Sequence, residues 1–169
     1  HWHQEDPGVM PVGDIYGSGS PTGITMIEGD ELGSKYRGTL LSADAGRNII
    51  FGYKPKRVGA GFNLDERINF IASVDADNKN YIWHKVAEDT TKWFRPSDVT
   101  IGTDGAIYVA DWYDPIVGGH QMKDLKGFGR IYRIAPKNIK LALPSLDTSS
   151  VEGLIKLLFN PAVNVRNLA

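Results

Sequence analysis

Residues 92–134, KWFRPSDVTIGTDGAIYVADWYDPIVGGHQMKDLKGFGRIYRI, repeat a pattern found earlier in the same chain. Pro96-Ser97-Asp98-Val99-Thr100 echoes Pro21-Thr22-Gly23-Ile24-Thr25. Gly105-Ala106-Ile107-Tyr108-Val109-Ala110-Asp111 echoes Gly38-Thr39-Leu40-Leu41-Ser42-Ala43-Asp44, and Gly129-Arg130-Ile131-Tyr132 echoes Gly46-Arg47-Asn48-Ile49. The prolines are offset by 75 residues and the aspartates by 67. Short strands recurring at such an interval, joined by loops of unequal length, predict a mainly β chain built from consecutive β-propeller blades.

Working outward, residues 1–20 are rich in Pro and Gly and read as a loop. Four strands of one blade are predicted over 23–28, 39–43, 48–54 and 67–73, each rich in β-branched or aromatic residues and bounded by turn formers. Residues 75–80 are a turn-rich break, and 81–86 predict an extra strand. The second blade offers strands at 98–102, 106–111 and 129–135, so its fourth must come from elsewhere. An unpaired edge at Ile131–Ile134 would otherwise invite aggregation.

Beyond Pro136 the period changes. Residues 137–148 are a proline-punctuated linker, and from 149 the apolar spacing is helical. Ser149 or Ser150 is the expected N-cap, Val151, Leu154, Ile155 and Leu158 the apolar face, and Asn160-Pro161 the stop. Residues 163–169 then open a second helix. A helix, tight turn and helix is the start of a helical-hairpin repeat that needs further repeats to cover its apolar face.

Composition narrows the function. The chain has 169 residues, 41% hydrophobic and 23% charged, with net charge −1 and scattered Lys and Arg, which excludes a basic field for nucleic acid. No apolar run reaches the roughly 20 residues of a membrane span. Cysteine is absent, removing disulfides and thiolate metal sites. The chain opens on His1 without an initiator Met or signal peptide, so it is expected to be an internal piece of a longer protein.

Asp44 and Asp111 end equivalent strands and therefore share one rim, where a carboxylate either binds a ligand or caps a turn. Asp104-Gly105 reads as a hairpin turn. Trp112 and Tyr113 either pack between blades or grip a sugar. His120, in the long glycine-containing loop 112–128, is a candidate general base or, with Asp114 or Asp124, a metal ligand, its alternative being an idle surface position. Arg95 faces either an anion or an inter-blade carboxylate, Asp98 or Asp44.

The segments His1-Trp2-His3-Gln4-Glu5-Asp6-Pro7-Gly8, Gly17 to Gly23, Trp93-Phe94-Arg95-Pro96-Ser97-Asp98 and Ala110-Asp111-Trp112-Tyr113-Asp114-Pro115, with Gly118-Gly119-His120, resemble the large membrane-bound dehydrogenase proteins of planctomycetes. In that family a six-bladed propeller similar to glucose/sorbosone dehydrogenases is followed by HEAT-like repeats and a c-type haem module. The resemblance implies that residues 1–136 are the last two blades, 137–148 a linker and 149–169 the start of a HEAT-like repeat. It implies an extracytoplasmic, periplasmic location and oxidation of a sugar or alcohol, with pyrroloquinoline quinone, calcium and, in a region beyond these residues, haem c as cofactors. His120 and Asp111 are then the catalytic candidates, Arg95 and Arg47 hold the cofactor, and Asp98, Trp112, Tyr113 and Asp44 meet the substrate. The family's cofactor lysine is replaced here by Gly46 and its second arginine by Ser97. These departures favour the alternative of a non-catalytic propeller that binds carbohydrate or protein, with the remainder of its own propeller as first partner.

Overall fold

The computed structural model describes residues 13–16, 19–73, 89, 93–113 and 126–169. Strands β1 (Pro21–Met26), β2 (Leu40–Asp44) and β3 (Ile49–Tyr53) are followed by a hairpin, β4 (Pro55–Val58) and β5 (Gly61–Leu64), and then by β6 (Ile68–Ala72). After the next connection come β7 (Pro96–Ile101), β8 (Ile107–Asp111) and β9 (Arg130–Ile134). All pairings are antiparallel, giving a four-stranded sheet β1-β2-β3-β6, the two-stranded β4-β5, and a three-stranded sheet β7-β8-β9. The predicted strands fall in the two larger sheets. The β4-β5 hairpin is new, its mostly exposed residues lacking the apolar alternation that marks a strand. The strand predicted over 81–86 lies outside the described residues.

The internal repeat holds residue by residue in the first two strands of each copy. Pro21 pairs with Asp44 and Pro96 with Asp111, and each first strand is irregular immediately afterwards, between Pro21 and Ile24 and between Pro96 and Asp98. Met26–Leu40 matches Ile101–Ile107. The turn into the second strand repeats too: Gly38 and Gly105 both adopt positive φ, 78° and 80°, a conformation open to glycine without steric cost. The eight-residue difference between the offsets lies in the connection, residues 28–37 in the first copy and 103–104 in the second. The longer connection holds a single 3-10 turn, Ser34–Tyr36, ahead of the predicted helical region. One predicted echo shifts by two positions. Asp44 faces Ile49 whereas Asp111 faces Arg130, so Arg130 corresponds to Ile49, and Tyr132 to Phe51, not to the residues that the glycine match implied.

Alternation places Leu40, Ser42, Phe51 and Tyr53 on one face of the first sheet and Leu41, Ala43 and Ile50 on the other. The second face packs against Ile107, Val109, Val99, Ile101 and Phe94 of the other sheet, in one buried cluster. Since Ile107 and Val109 correspond to Leu40 and Ser42, unlike faces meet. The two sheets are stacked head to tail. The corresponding outer face of the second sheet carries Ile131, 75% exposed, and β9 pairs only with β8 among the described residues.

Polar contacts join the sheets at one end. Thr22 Oγ1 donates to the Pro96 carbonyl at 2.7 Å, Asn48 Nδ2 to that of Phe94 at 2.6 Å, and Arg95 Nη1 to that of Ala45 at 2.7 Å. Gly23 lies so close to β7 that a Cβ there would stand 2.8 Å from both Asp98 Cα and Val99 N.

Helix α2 (Val163–Arg166), preceded by α1 (Val151–Leu158), docks at the opposite end. Glu28 accepts from the Val163 amide at 2.5 Å and pairs with Arg166 at 3.2 Å, while Asn164 donates to the Ile101 carbonyl. The expected α1 face of Val151, Leu154, Ile155 and Leu158 is not the buried one. Gly153 and Leu157 are buried, while Val151, Ile155 and Leu158 are exposed; Gly153 lies against Asp147 of the capping loop. Ser150 is the N-cap, accepting from Gly153 N at 3.0 Å.

Asp147 in turn accepts from the Ser150 and Ser149 hydroxyls and their amides, and these bonds, that of Ser150 foremost, lower its pKa to about 2. A carboxylate depressed in the folded state contributes stability above its unfolded pKa, near 4, and loses it as pH falls through the folded value. The Gly153 amide is therefore expected to keep its NMR shift from pH 7 to about 3 and to move below that with a midpoint near pH 2. Asp147→Asn should show the displaced position already at pH 7; an unchanged shift would discount the cap.

Candidate functional site

The end of the sheets opposite the helices gathers most of the predicted residues. Asp44, fully buried, accepts from the Tyr16 hydroxyl at 2.6 Å, the Ser20 amide at 3.0 and 3.1 Å and the Arg47 amide at 2.8 Å. Its lone pairs hold the N-terminal segment and its own loop in place. Burial, then the hydrogen bond to Asp44, push the Tyr16 pKa up, so the phenol stays a donor.

Asp111 repeats the device. Its Oδ1 accepts from the Arg95 amide at 2.9 Å and the Tyr113 amide at 2.8 Å, the counterparts of Ser20 and the residues after Asp44. The backbone match extends to Ala45 N on Ser20 O at 2.9 Å and Trp112 N on Arg95 O at 3.0 Å. The second oxygen differs. Asp111 Oδ2 is buried without a hydrogen bond of good geometry; Arg130 Nε compensates its charge from 3.3 Å, and the Tyr132 phenol lies close enough that burial first, and then the Asp111 carboxylate, raise its pKa. The Arg130 guanidinium lies 4.1 Å from the Tyr113 ring centroid and 5.6 Å from that of Tyr132.

The remaining predicted residues divide. Arg95 is buried at 1% exposure and its guanidinium donates to the Ala45 carbonyl, bracing loop against sheet. Arg47 uses its side chain on the Tyr16 carbonyl and sits 6.0 Å from the Tyr16 ring centroid. Asp98 is exposed, and its Oδ1 accepts from Val99 N at 2.8 Å. Trp112 is 69% exposed, whereas Tyr113 packs on Trp93 and Phe128. Asp104 closes the predicted hairpin turn, accepting from Ala106 N, and is paired with Arg133 at 2.6 Å. Burial works to raise its pKa, but those contacts prevail and lower it. His120, Asp114 and Asp124 lie outside the described residues. No group of three metal-ligating side chains occurs among the described residues.

Sequence reasoning missed Arg130, Tyr16, Asn48 and Trp93. The aspartate repeat held the clue to Arg130, since the residue paired with a strand-ending carboxylate is set by register. Around Asp111 and Arg130 opens a cavity of about 330 Å³, walled by Trp93, Tyr113, Tyr132, Ile134 and Ile71.

Among the described residues, the positions that the resemblance assigns to a quinone cofactor are engaged within the protein. Any Cβ at Gly46 would stand 2.9 Å from Ser20 N and 3.1 Å from Gly19 C, so a lysine cannot occupy the position without moving backbone. The Arg95 guanidinium is turned into the sheet joint and the Arg47 side chain onto Tyr16. No helix among the described residues is long and apolar enough to cross a membrane. Residues 9–138 match the family model described as Domain of unknown function (DUF7133), and no curated protein matches the chain.

Proposed function

This chain belongs to the DUF7133 family, and we propose that it is a non-catalytic scaffold, two consecutive propeller blades with the first helices of a HEAT-like repeat. Head-to-tail stacking supports the propeller part, because an operation that brings unlike faces together leaves one face of each kind for further copies. The exposed Ile131 on β9 and the exposed Val151, Ile155, Leu158 and Phe159 on and after α1 are surfaces for the remaining blades and repeats.

The scaffold part rests on one observation: Arg95, the cation that the dehydrogenase resemblance requires at the cofactor, is buried on the Ala45 carbonyl. Charge-assisted contacts of this kind contribute roughly 1.5–3 kcal/mol each, so redirecting the side chain to a cofactor would weaken the sheet joint. The test is titration of the chain with pyrroloquinoline quinone, with and without calcium, followed by quinone absorbance. No saturable change is expected. Gly46→Lys, which restores the family's lysine, should lose about 2 kcal/mol of stability from its backbone clash and still not bind. Stoichiometric quinone binding by the unmodified chain would overturn the scaffold reading.

A further inference from the structure

We infer that the cavity beside Asp111 is a binding site for a phenolic ring whose hydroxyl donates to Asp111 Oδ2. The inference comes from comparing the two copies of the repeat, independently of the propeller reading. In the first copy Tyr16 stacks on Phe51 with ring centroids 4.8 Å apart and donates to Asp44 Oδ2 at 2.6 Å. It packs against the cluster of Ile49, Phe51 and Tyr53. By register, Asp44, Ile49, Phe51 and Tyr53 correspond to Asp111, Arg130, Tyr132 and Ile134. All four of the latter line the cavity of about 330 Å³. What a tyrosine fills in one copy is therefore a cavity among the described residues in the other, and the oxygen there, without a hydrogen bond of good geometry although the Tyr132 phenol lies close to the same carboxylate, is the counterpart of the one that Tyr16 bonds.

The substitutions between the copies suit a ligand. Ile49 is buried at 1% exposure and serves the fold without charge, so the structural device does not need Arg130 at that place. In the first copy Arg67 and Arg47 stand 5.6 and 6.0 Å from the Tyr16 ring centroid, so cations already flank the phenol. Arg130, its side chain 40% exposed, screens Oδ2 from solvent, and its outward shift admits the hydroxyl and leaves the guanidinium beside the ring. A cavity of this size lies at the low end for small-molecule sites and accommodates a single substituted ring. The phenol can belong to a free small molecule or to a tyrosine side chain.

The experiment titrates the 169-residue chain with p-cresol, 4-methylanisole and N-acetyltyrosinamide, following the NMR signals of Tyr113, Tyr132 and Trp93. The p-cresol affinity is expected to exceed that of 4-methylanisole, which has no hydroxyl to donate, by at least about tenfold. N-acetyltyrosinamide matching p-cresol assigns the site to a tyrosine held in a chain, and p-cresol binding alone assigns it to a free phenol. Asp111→Asn should bring p-cresol down to the level of 4-methylanisole. If that variant does not fold, the comparison of the two compounds on the unmodified chain decides. Equal affinities, or signals from these three residues that do not move, would overturn the proposal.

Discussion

Asp44→Ala is expected to destabilise the chain by about 4 kcal/mol, since it removes the acceptor for several charge-assisted hydrogen bonds at a buried site. The Ser20 and Arg47 amides and the Tyr16 hydroxyl all converge on this carboxylate, so each would be left without its acceptor. For a chain of this length the loss corresponds to a fall in melting temperature of roughly 8–16 °C. Asp44→Asn keeps one carbonyl oxygen and should lose about half as much. Thermal and urea denaturation provide the measurement. A loss below about 1 kcal/mol for the alanine variant would show that the loop holds without its carboxylate.

Gly23→Val is the second large effect, with an expected cost of about 3 kcal/mol. Its Cβ would stand 2.2 Å from Asp98 Oδ1 and 2.8 Å from Asp98 Cα and Val99 N. The carboxylate oxygen can move aside, but the backbone of β7 is held by its ladder to β8 and by the Thr22 bond to the Pro96 carbonyl. Removing the oxygen therefore does not relieve the clash. The Gly23→Val, Asp98→Ala double variant is expected to remain within about 1 kcal/mol of Gly23→Val in urea denaturation. Full rescue by Asp98→Ala would place the conflict in the side chain alone.

The strands were legible because period-two alternation and turn residues are local signals. The doubled Pro and Asp positions went further, since they set the register of β1 on β2 and of β7 on β8. The third strand was misaligned because the glycine at 46 and that at 129 look alike in sequence but serve different ends. Gly46 makes room for Ser20, while Gly129 precedes a strand that pairs at once with Asp111. The face of α1 was misread because hydrophobic spacing alone does not tell which side of a short helix is covered, and here that side carries Gly153 and Leu157.

The site was half legible. Asp44, Asp111, Arg95 and Trp112 do gather at one end, as equivalent strand ends require, but charge on a rim residue does not reveal which way it faces. Arg95 and Asp44 are turned inward to backbone partners tens of residues away, and such partners are fixed by packing of the sheets on each other. Tyr16 could not be matched to Asp44 from sequence for the same reason.

The placement of the bonds between the sheets also has a consequence in time. Thr22, Asn48 and Arg95 join the two sheets along β1 and β7 and the loops at one end, whereas the β6 and β9 sides are separated by the cavity. The joint thus acts as a hinge pin with the free edges as its leaves. Opening motions are expected to swing β6 and β9 apart more often than they separate β1 from β7, so amide exchange should be slowest along the pin and fastest at the leaves. A molecule entering between the leaves stops that swing, and its arrival would be felt as a quieting of both sheets.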